Sequence, residues 1–290
     1  MFNFFANIFG YLLNFIYNMV NNYGWAIIIF TVIIKLLLLP LSISQQKTMK
    51  KTAKVQEKVK ILQFKYKNDK EKLNQEIMEL YKQEKMNPLS GCLTAIVQML
   101  LLLSIFYMVR SPLTYMTKVS VEKIETYKNQ MKEDQKEPSS VYPELDIIKN
   151  ADWLITKNPE DSEVSKTKLE MNFIGLDLNK VPQQNMNDYT VYVIPALYII
   201  SSFISMKLTT SMQNKNKKPA LIDGTTGKKE EVEQDPMEQT NKMMTWMMPI
   251  MSISIAFVAP LGLALYWLCS NVLMIIERVV LNKVLTVKED

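Results

Sequence analysis

An apolar run from Trp25 to Leu41 constrains this chain more than any other segment. A helix of about 20 apolar residues crosses the roughly 30 Å hydrocarbon core of a bilayer, so the run predicts a membrane span. Lys35 lies inside it, about 15 Å along the helix from Trp25. A lysine near mid-membrane costs roughly 2.5–3.5 kcal/mol, which favours a functional charge. The alternative is a lysine whose stem bends towards the nearer interface.

The composition excludes several kinds of site. The 290 residues contain no histidine, two cysteines and seven glycines. Histidine and cysteine supply most zinc ligands and activated nucleophiles, and glycine-rich loops cradle nucleotide phosphates. We therefore expect no metal, no cofactor and no enzymatic reaction.

Apolar and polar segments alternate along the chain, as is typical of a multi-pass membrane protein. The apolar segments predict five spans, at 24–43, 89–110, 191–208, 243–259 and 263–281. The polar segments predict a helical hairpin at 44–88, a loop at 111–190, a linker at 209–242, a turn at 260–262 and a tail at 282–290.

Residues 1–23 predict an amphipathic helix that lies in the plane of the membrane interface. Its apolar residues recur at helical spacing, at Phe4, Ile8, Tyr11, Leu12, Phe15 and Met19. The alternative is a weak additional span, interrupted by Gly10.

The segment from Ser44 to Lys85 contains twelve lysines against six acidic residues, a net charge of +6. Two stripes at helical spacing, each weakly apolar, predict an antiparallel helical hairpin with a helix restart at Asn68 and Glu71. The stripes are Val55, Val59, Leu62 and Tyr66, and then Leu73, Ile77, Leu80 and Glu84. Such a basic face suits anionic lipids, at about 1 kcal/mol per lysine, or a docking partner.

Short lysine-rich loops mark the cytoplasmic side of a membrane protein. The hairpin is therefore predicted to be cytoplasmic, with the amino terminus outside and the carboxyl terminus inside. Residues 110–190 contain eleven basic and fourteen acidic residues, a net charge of −3, and fall on the outer side. The end of this segment, Met171 to Leu178, is predicted to pack against another element.

Several motifs, in this order along the chain, resemble the YidC family of membrane protein insertases. They are GWAII from Gly24 with Lys35 and Pro40-Leu41, the basic hairpin, NPLSGC from Asn87 with Gln98, Phe173 to Leu178, Met248-Pro249, and PLGLALYWLCSN from Pro260. Each motif is weak alone, but together they cover most of the chain. The short outer part resembles the Gram-positive type of the family.

The resemblance implies an all-α membrane protein whose five transmembrane helices surround a hydrophilic groove. Lys35 would then be the groove charge, in place of the family's usual arginine. The implied groove lining is Thr31, Gln98 and Met99, and the implied client exit path is Leu102, Tyr266, Trp267 and Asn271. The alternative for Gln98 is a hydrogen bond between helices, and for Tyr266 and Trp267 it is packing within the bundle.

The resemblance also implies a function in the bacterial cell membrane. The protein would move short polar segments of nascent membrane proteins across the bilayer and release their transmembrane segments to lipid, alone or with the Sec translocase. The implied partners are client chains, the ribosome, the Sec translocase and anionic lipids, with no sequence-specific nucleic acid. The alternative is a small transporter or channel, although the chain shows no internal repeat that would favour one.

Overall fold

The chain folds almost entirely as helix. A computed structural model of the protein describes residues 2–67, 69–84, 90–136, 141–214, 247 and 253–287. The helices are α1 (Phe2–Val20), α2 (Tyr23–Leu37), α3 (Leu39–Lys65), α4 (Lys70–Gln83), α5 (Ser90–Arg110), α6 (Val121–Glu133), α7 (Pro143–Lys149), α8 (Ala151–Lys157), α9 (Val193–Asn214) and α10 (Leu261–Val287). Strands β1 (Asn172–Phe173) and β2 (Leu176–Asp177) form one antiparallel pair. The predicted all-α class is confirmed.

Two of the described helical segments are long and apolar enough to cross a bilayer, Tyr189–Ser211 and Leu261–Val284. A third is present if α2 and α3 are counted together as one broken span. Helix α5 is apolar over Ile96–Arg110, which is shorter than the usual span of about 20 residues. The five spans therefore stay a prediction, and most of the fourth, at 243–259, lies outside the described residues.

Several helix boundaries differ from the predicted ones. The first predicted span, 24–43, divides at Leu38, and α3 begins with Pro40 in its first turn. Proline is tolerated there because the first N–H groups of a helix have no intrahelical acceptor. Helix α9 continues into the predicted linker, and α10 continues through most of the predicted tail.

The described residues divide into two units. The first contains α1, α2, most of α5, all elements from α6 to β2, and the first parts of α9 and α10. The second contains α3, α4 and the later parts of α9 and α10. Each unit is described separately.

Helices α3 and α4 of the second unit occupy the segment predicted as a hairpin. The ammonium group of Lys58 pairs with the carboxylate of Glu84, and the Tyr66 hydroxyl donates to Glu76 at 3.1 Å. Asp69 caps α4 by accepting the Lys72 N–H at 3.0 Å. The predicted restart at Asn68 lies outside the described residues, and the residue that caps α4 is Asp69.

The segment predicted as a loop at 111–190 is a folded domain of the first unit, which we call the cap (111–136 and 141–192). It contains α6, α7, α8, the β1–β2 hairpin, a π-helix at Leu113–Thr117 and three short 3₁₀ helices. Its core contains the fully buried side chains of Leu113, Met116, Tyr127, Met131, Ile147 and Leu154. The sequence predicted a segment that connects two spans but not this core, because these apolar residues come together only through contacts distant in sequence.

A buried carboxylate joins two parts of the cap. Glu144 on α7 is only 6% exposed. It accepts the N–H groups of Leu113 and Thr114 at 2.8 and 3.0 Å, and the Thr114 hydroxyl at 2.6 Å. These are N–H groups from the first turn of the π-helix, which have no acceptor within that helix. Burial raises the pKa of Glu144 above its ordinary value of 4.5, although its hydrogen bonds oppose the shift.

The cap also supplies acceptors to the amino-terminal ends of α2 and α10. The Tyr23 N–H donates to the Glu170 carbonyl at 2.9 Å. The N–H groups of Leu261 and Gly262 donate to the carbonyls of Lys180 and Leu178 at 2.9 and 3.1 Å. The cap therefore ties together helix ends that are more than 200 residues apart in the sequence.

The packed face of helix α1 differs from its predicted apolar stripe. The buried residues are Ala6, Phe9, Gly10, Leu13 and Ile16. A Cβ at Gly10 would lie 1.9 Å from the Tyr115 carbonyl oxygen, so glycine allows α1 to approach the π-helix backbone. Five residues of the predicted stripe are exposed, namely Phe4, Ile8, Tyr11, Phe15 and Met19. An exposed apolar face of this kind suits a helix at a membrane interface.

We expect Gly10→Ala to destabilise the protein by about 1–3 kcal/mol, because its methyl group would collide with the Tyr115 backbone. Alanine favours helix more than glycine does, so a loss of stability would report the close approach and not helix propensity. Thermal unfolding in detergent measures the effect. Asn18→Ala, on the exposed side of the same helix, is the control and should leave the melting temperature close to wild type.

We expect Glu144→Leu to destabilise the cap by about 2–4 kcal/mol, because three donors lose their acceptor. Glu144→Gln should destabilise it less, since its amide oxygen can accept both N–H groups.

The pKa of Glu144 is raised in the folded state. Its contribution to stability is therefore full below the ordinary carboxyl pKa and is lost as the pH rises through the raised value. Thermal melts across that pH range should show this loss in wild type and not in Glu144→Gln.

Candidate functional site

Lys35 lies at the edge of the packed face of α2. The buried residues of this helix recur at helical spacing, at Tyr23, Gly24, Ala26, Ile27, Phe30, Thr31 and Ile34. Lys35 follows the last of them and is half-buried, whereas Leu36 and Leu37 are exposed. The only charged side chain of α2 is therefore placed where the packed part of the helix ends.

Thr31 lies one turn before Lys35, inside the packed face. It is 1% exposed, and its hydroxyl donates to the Ile27 carbonyl at 2.6 Å. A buried hydroxyl needs such an acceptor, and its own helix provides it. The structure thus places Thr31 among packed side chains, with its hydroxyl turned towards the α2 backbone.

The side chains of helix α5 change from buried to exposed along its length. Near the cap, Ser104, Ile105, Met108 and Val109 are buried. Further from the cap, residues 96–99 are all exposed, with Met99 at 55% and Leu102 at 49%. Gln98 belongs to this exposed stretch. The predicted site residues of α5 therefore lie in its open half.

Helix α10 changes in the same way. Residues 261–265 are buried beside the cap, whereas Tyr266, Trp267 and Asn271 are intermediate in exposure. The Trp267 ring lies 5.8 Å from the Tyr198 ring of α9, measured between centroids. The Asn271 amide donates to the Ser201 hydroxyl at 3.4 Å, and Tyr266 shares a hydrogen bond with Ser270. Trp267 and Asn271 thus contact α9, which agrees with the packing alternative for Trp267.

Sequence reasoning missed the residues of α9 that receive these contacts. Ser201 accepts the hydrogen bond from Asn271, and it lies four positions before Ser205, which is also polar and buried. Small polar residues at this spacing are common where membrane helices approach each other, so the pattern could have revealed the contact. In the second unit, the guanidinium of Arg278 on α10 donates to the Thr209 hydroxyl of α9.

Charged groups of the cap pair with each other near the start of α9. Lys180 and Asp188 form an ion pair at 2.7 Å. This pair, together with hydrogen bonds from Thr190, lowers the pKa of Asp188 to about 2. Among the described residues, no cluster of three or more His, Cys, Asp or Glu side chains could hold a metal ion.

The fold and these helices define a membrane protein with one charged residue in the apolar helix α2. The sequence model of the family described as 60Kd inner membrane protein matches residues 15–289. The chain therefore belongs to this family. The resemblance to YidC insertases is confirmed, and the protein is a bacterial membrane protein.

Three relatives, each described as membrane protein insertase YidC, show how far the similarity extends. The protein of Fusobacterium nucleatum is 28% identical over 98% of this chain and 97% of its own length. That of Polynucleobacter asymbioticus is 28% identical over 94% of this chain but 34% of its own length. That of Buchnera aphidicola is 48% identical over 34% of this chain and 19% of its own length. The chain thus spans less than two thirds of the latter two relatives.

We expect Trp267→Ala to lower the melting temperature in detergent, because it removes the ring contact with Tyr198. An aromatic pair contributes about 0.5–1.5 kcal/mol beyond the burial of its area. Leu102→Ala removes a half-exposed side chain and should shift the melting temperature much less. Equal shifts for the two variants would contradict the assignment of Trp267 as a packing residue.

Proposed function

We propose that the protein is a membrane protein insertase and chaperone. The observation that carries the proposal is the position of Lys35, a charge within an apolar helix, at the point where the packed face of that helix ends. A charge within an apolar membrane helix is costly, so its presence favours a functional role. The family match and the names of the relatives agree with this function.

Within the first unit, side chains are buried beside the cap and exposed away from it. This difference supports a path that is open at one end. Beside the cap, the helices are packed, and the first N–H groups of α2 and α10 donate to cap carbonyls. Away from the cap, Gln98, Met99 and Leu102 of α5 are exposed. We propose that these residues and Lys35 face a hydrophilic half-channel among five membrane helices, closed at the cap side, with Thr31 at its inner end.

The physical task of such a half-channel is to shorten the dry path for polar groups. A carboxylate that enters hydrocarbon loses its hydration, and this loss opposes translocation of an acidic tail. Lys35 would offset part of that cost by attracting the carboxylate. Burial of the client's apolar segment in lipid supplies free energy, and the membrane potential adds about 2.3 kcal/mol per charge per 100 mV. The mechanism requires neither a nucleotide nor an enzymatic step.

The other predicted site residues would line the part of the path through which a client leaves. Leu102, Tyr266, Trp267 and Asn271 would lie where a client helix leaves for lipid. Since Trp267 and Asn271 contact α9, we propose that they form the wall of this exit rather than a mobile gate.

The charge of the hairpin supports a cytoplasmic position for α3 and α4. With five spans, the amino terminus and the cap would be outside and the carboxyl terminus inside. The exposed lysines of the hairpin would then meet anionic lipid headgroups, the ribosome or the Sec translocase. The client would be a nascent membrane protein.

We expect Lys35→Leu to reduce insertion of a single-span client with an acidic outer tail. Loss of a screened charge pair worth ~1–2 kcal/mol corresponds to about fivefold to thirtyfold less insertion. Lys35→Arg keeps the charge and should insert at close to the wild-type level. The assay uses purified protein in liposomes, a labelled client made in vitro, and protection of the translocated tail from protease.

Two controls separate the charge of Lys35 from other effects. Lys207→Leu removes a lysine from the apolar helix α9 and should leave insertion unchanged. A client whose tail carries glutamine in place of acidic residues should be inserted equally by wild type and Lys35→Leu. Equal insertion of the acidic client by all variants would refute the electrostatic mechanism, and solute flux without client insertion would favour a transporter.

A further inference from the structure

The tip of the β1–β2 hairpin carries an isoleucine in an unfavourable backbone conformation. The register pairs Phe173 with Leu176 and leaves a two-residue loop, Ile174-Gly175. Both loop residues have positive φ, 51° and 78°. This is the pattern of a type I′ turn, which favours Asn-Gly, and a β-branched residue at positive φ is strained.

Packing within the protein does not explain this isoleucine. Its side chain is 76% exposed, among the most exposed large apolar side chains of the described residues. The residue thus costs backbone free energy at the turn, yet its side chain remains largely open to the surroundings. Strained residues persist where the surrounding structure or a function requires them.

The hairpin is fixed against the first turn of α2. The Asn22 amide donates to the Asn172 carbonyl at 2.8 Å. The Phe173 ring occupies the space beside Gly24, where a Cβ would lie 2.3 Å from that ring. The same ring meets Trp25 edge-to-face, with 5.4 Å between centroids. The tip is therefore held beside a half-exposed tryptophan at the end of an apolar helix.

The surroundings of the tip match a lipid interface. Tryptophan at the end of an apolar helix is typical of the headgroup level of a membrane. The last turns of α1 lie beside the hairpin as well, because the Glu170 N–H donates to the Tyr17 hydroxyl at 2.8 Å. Met19 in that part of α1 is exposed and apolar. One lipid surface would cover Met19, Trp25 and Ile174 together.

We propose that the Ile174 tip is a membrane anchor of the cap. It inserts into the headgroup region of the leaflet at the amino end of α2 and holds the cap against the bilayer. The proposal rests on the membrane placement of α2 in the proposed function, but not on insertase activity. The lipid is recognised through the apolar side chain alone, because the two loop residues carry no charge.

The test places an environment-sensitive NBD label on single cysteines in liposomes. The background is Cys92→Ala with Cys269→Ala. The labelled variants are Ile174→Cys, Ile29→Cys on the apolar helix α2 as the membrane control, and Val121→Cys on α6 as the aqueous control. We expect nitroxide-bearing lipids to quench the Ile174 label several-fold more than the Val121 label, and aqueous iodide to do the reverse.

Other outcomes would overturn the proposal in distinguishable ways. If Ile29 is quenched by lipid nitroxide and Ile174 by iodide, the anchor is wrong and the membrane placement of α2 stands. If Ile174 is shielded from both quenchers, a protein contact covers the tip instead of lipid. If Ile29 is not quenched by lipid nitroxide, the membrane placement of α2 itself fails.

A second variant separates anchoring from a structural role. Asparagine is favoured at positive φ, so Ile174→Asn should keep or raise the melting temperature in detergent. A lower melting temperature would show that Ile174 stabilises the fold and would contradict the proposal.

Discussion

The structure depends on one requirement, that the terminal N–H groups of its apolar helices find hydrogen-bond acceptors. Hydrocarbon provides none, so these groups must be satisfied by the protein or by water. The cap supplies carbonyls from Glu170, Leu178 and Lys180 to the starts of α2 and α10, and the Glu144 carboxylate to the π-helix. A segment that resembles a polar loop in sequence therefore determines where three helices begin and holds them together.

This arrangement produces a first unit with two different ends. Beside the cap, close contacts such as Gly10 with Tyr115 and Gly24 with Phe173 leave little space between elements. Away from the cap, the side chains of α5 and α10 are more exposed, and Lys35 lies where the buried face of α2 stops. This difference between the two ends is the basis of the half-channel proposed above. The contacts of the β1–β2 hairpin with the start of α2 would hold the proposed Ile174 anchor beside Trp25.

Sequence patterns predicted much of the fold because hydrophobic periodicity and charge are local signals. They identified the apolar helices among the described residues, the helical character of α3 and α4, and the packing of the segment that contains Phe173. They failed for the cap, since Glu144 and the core around Tyr127 depend on contacts between distant residues. They also could not show which face of α1 is packed, because the helix is apolar on both sides and only Gly10 marks the close approach.

The sequence by itself determined the membrane class, the family and the presence of one lysine within the first apolar run. These follow from residue type and spacing, which do not depend on the rest of the fold. Only the tertiary structure decided that Thr31 is buried with its hydroxyl bonded to Ile27, that Trp267 and Asn271 contact α9, and that Lys35 stands at the edge of a packed face. The physical reason is that the burial of Thr31 and Lys35 depends on which elements pack against α2, and that the partners of Trp267 and Asn271 lie on another helix.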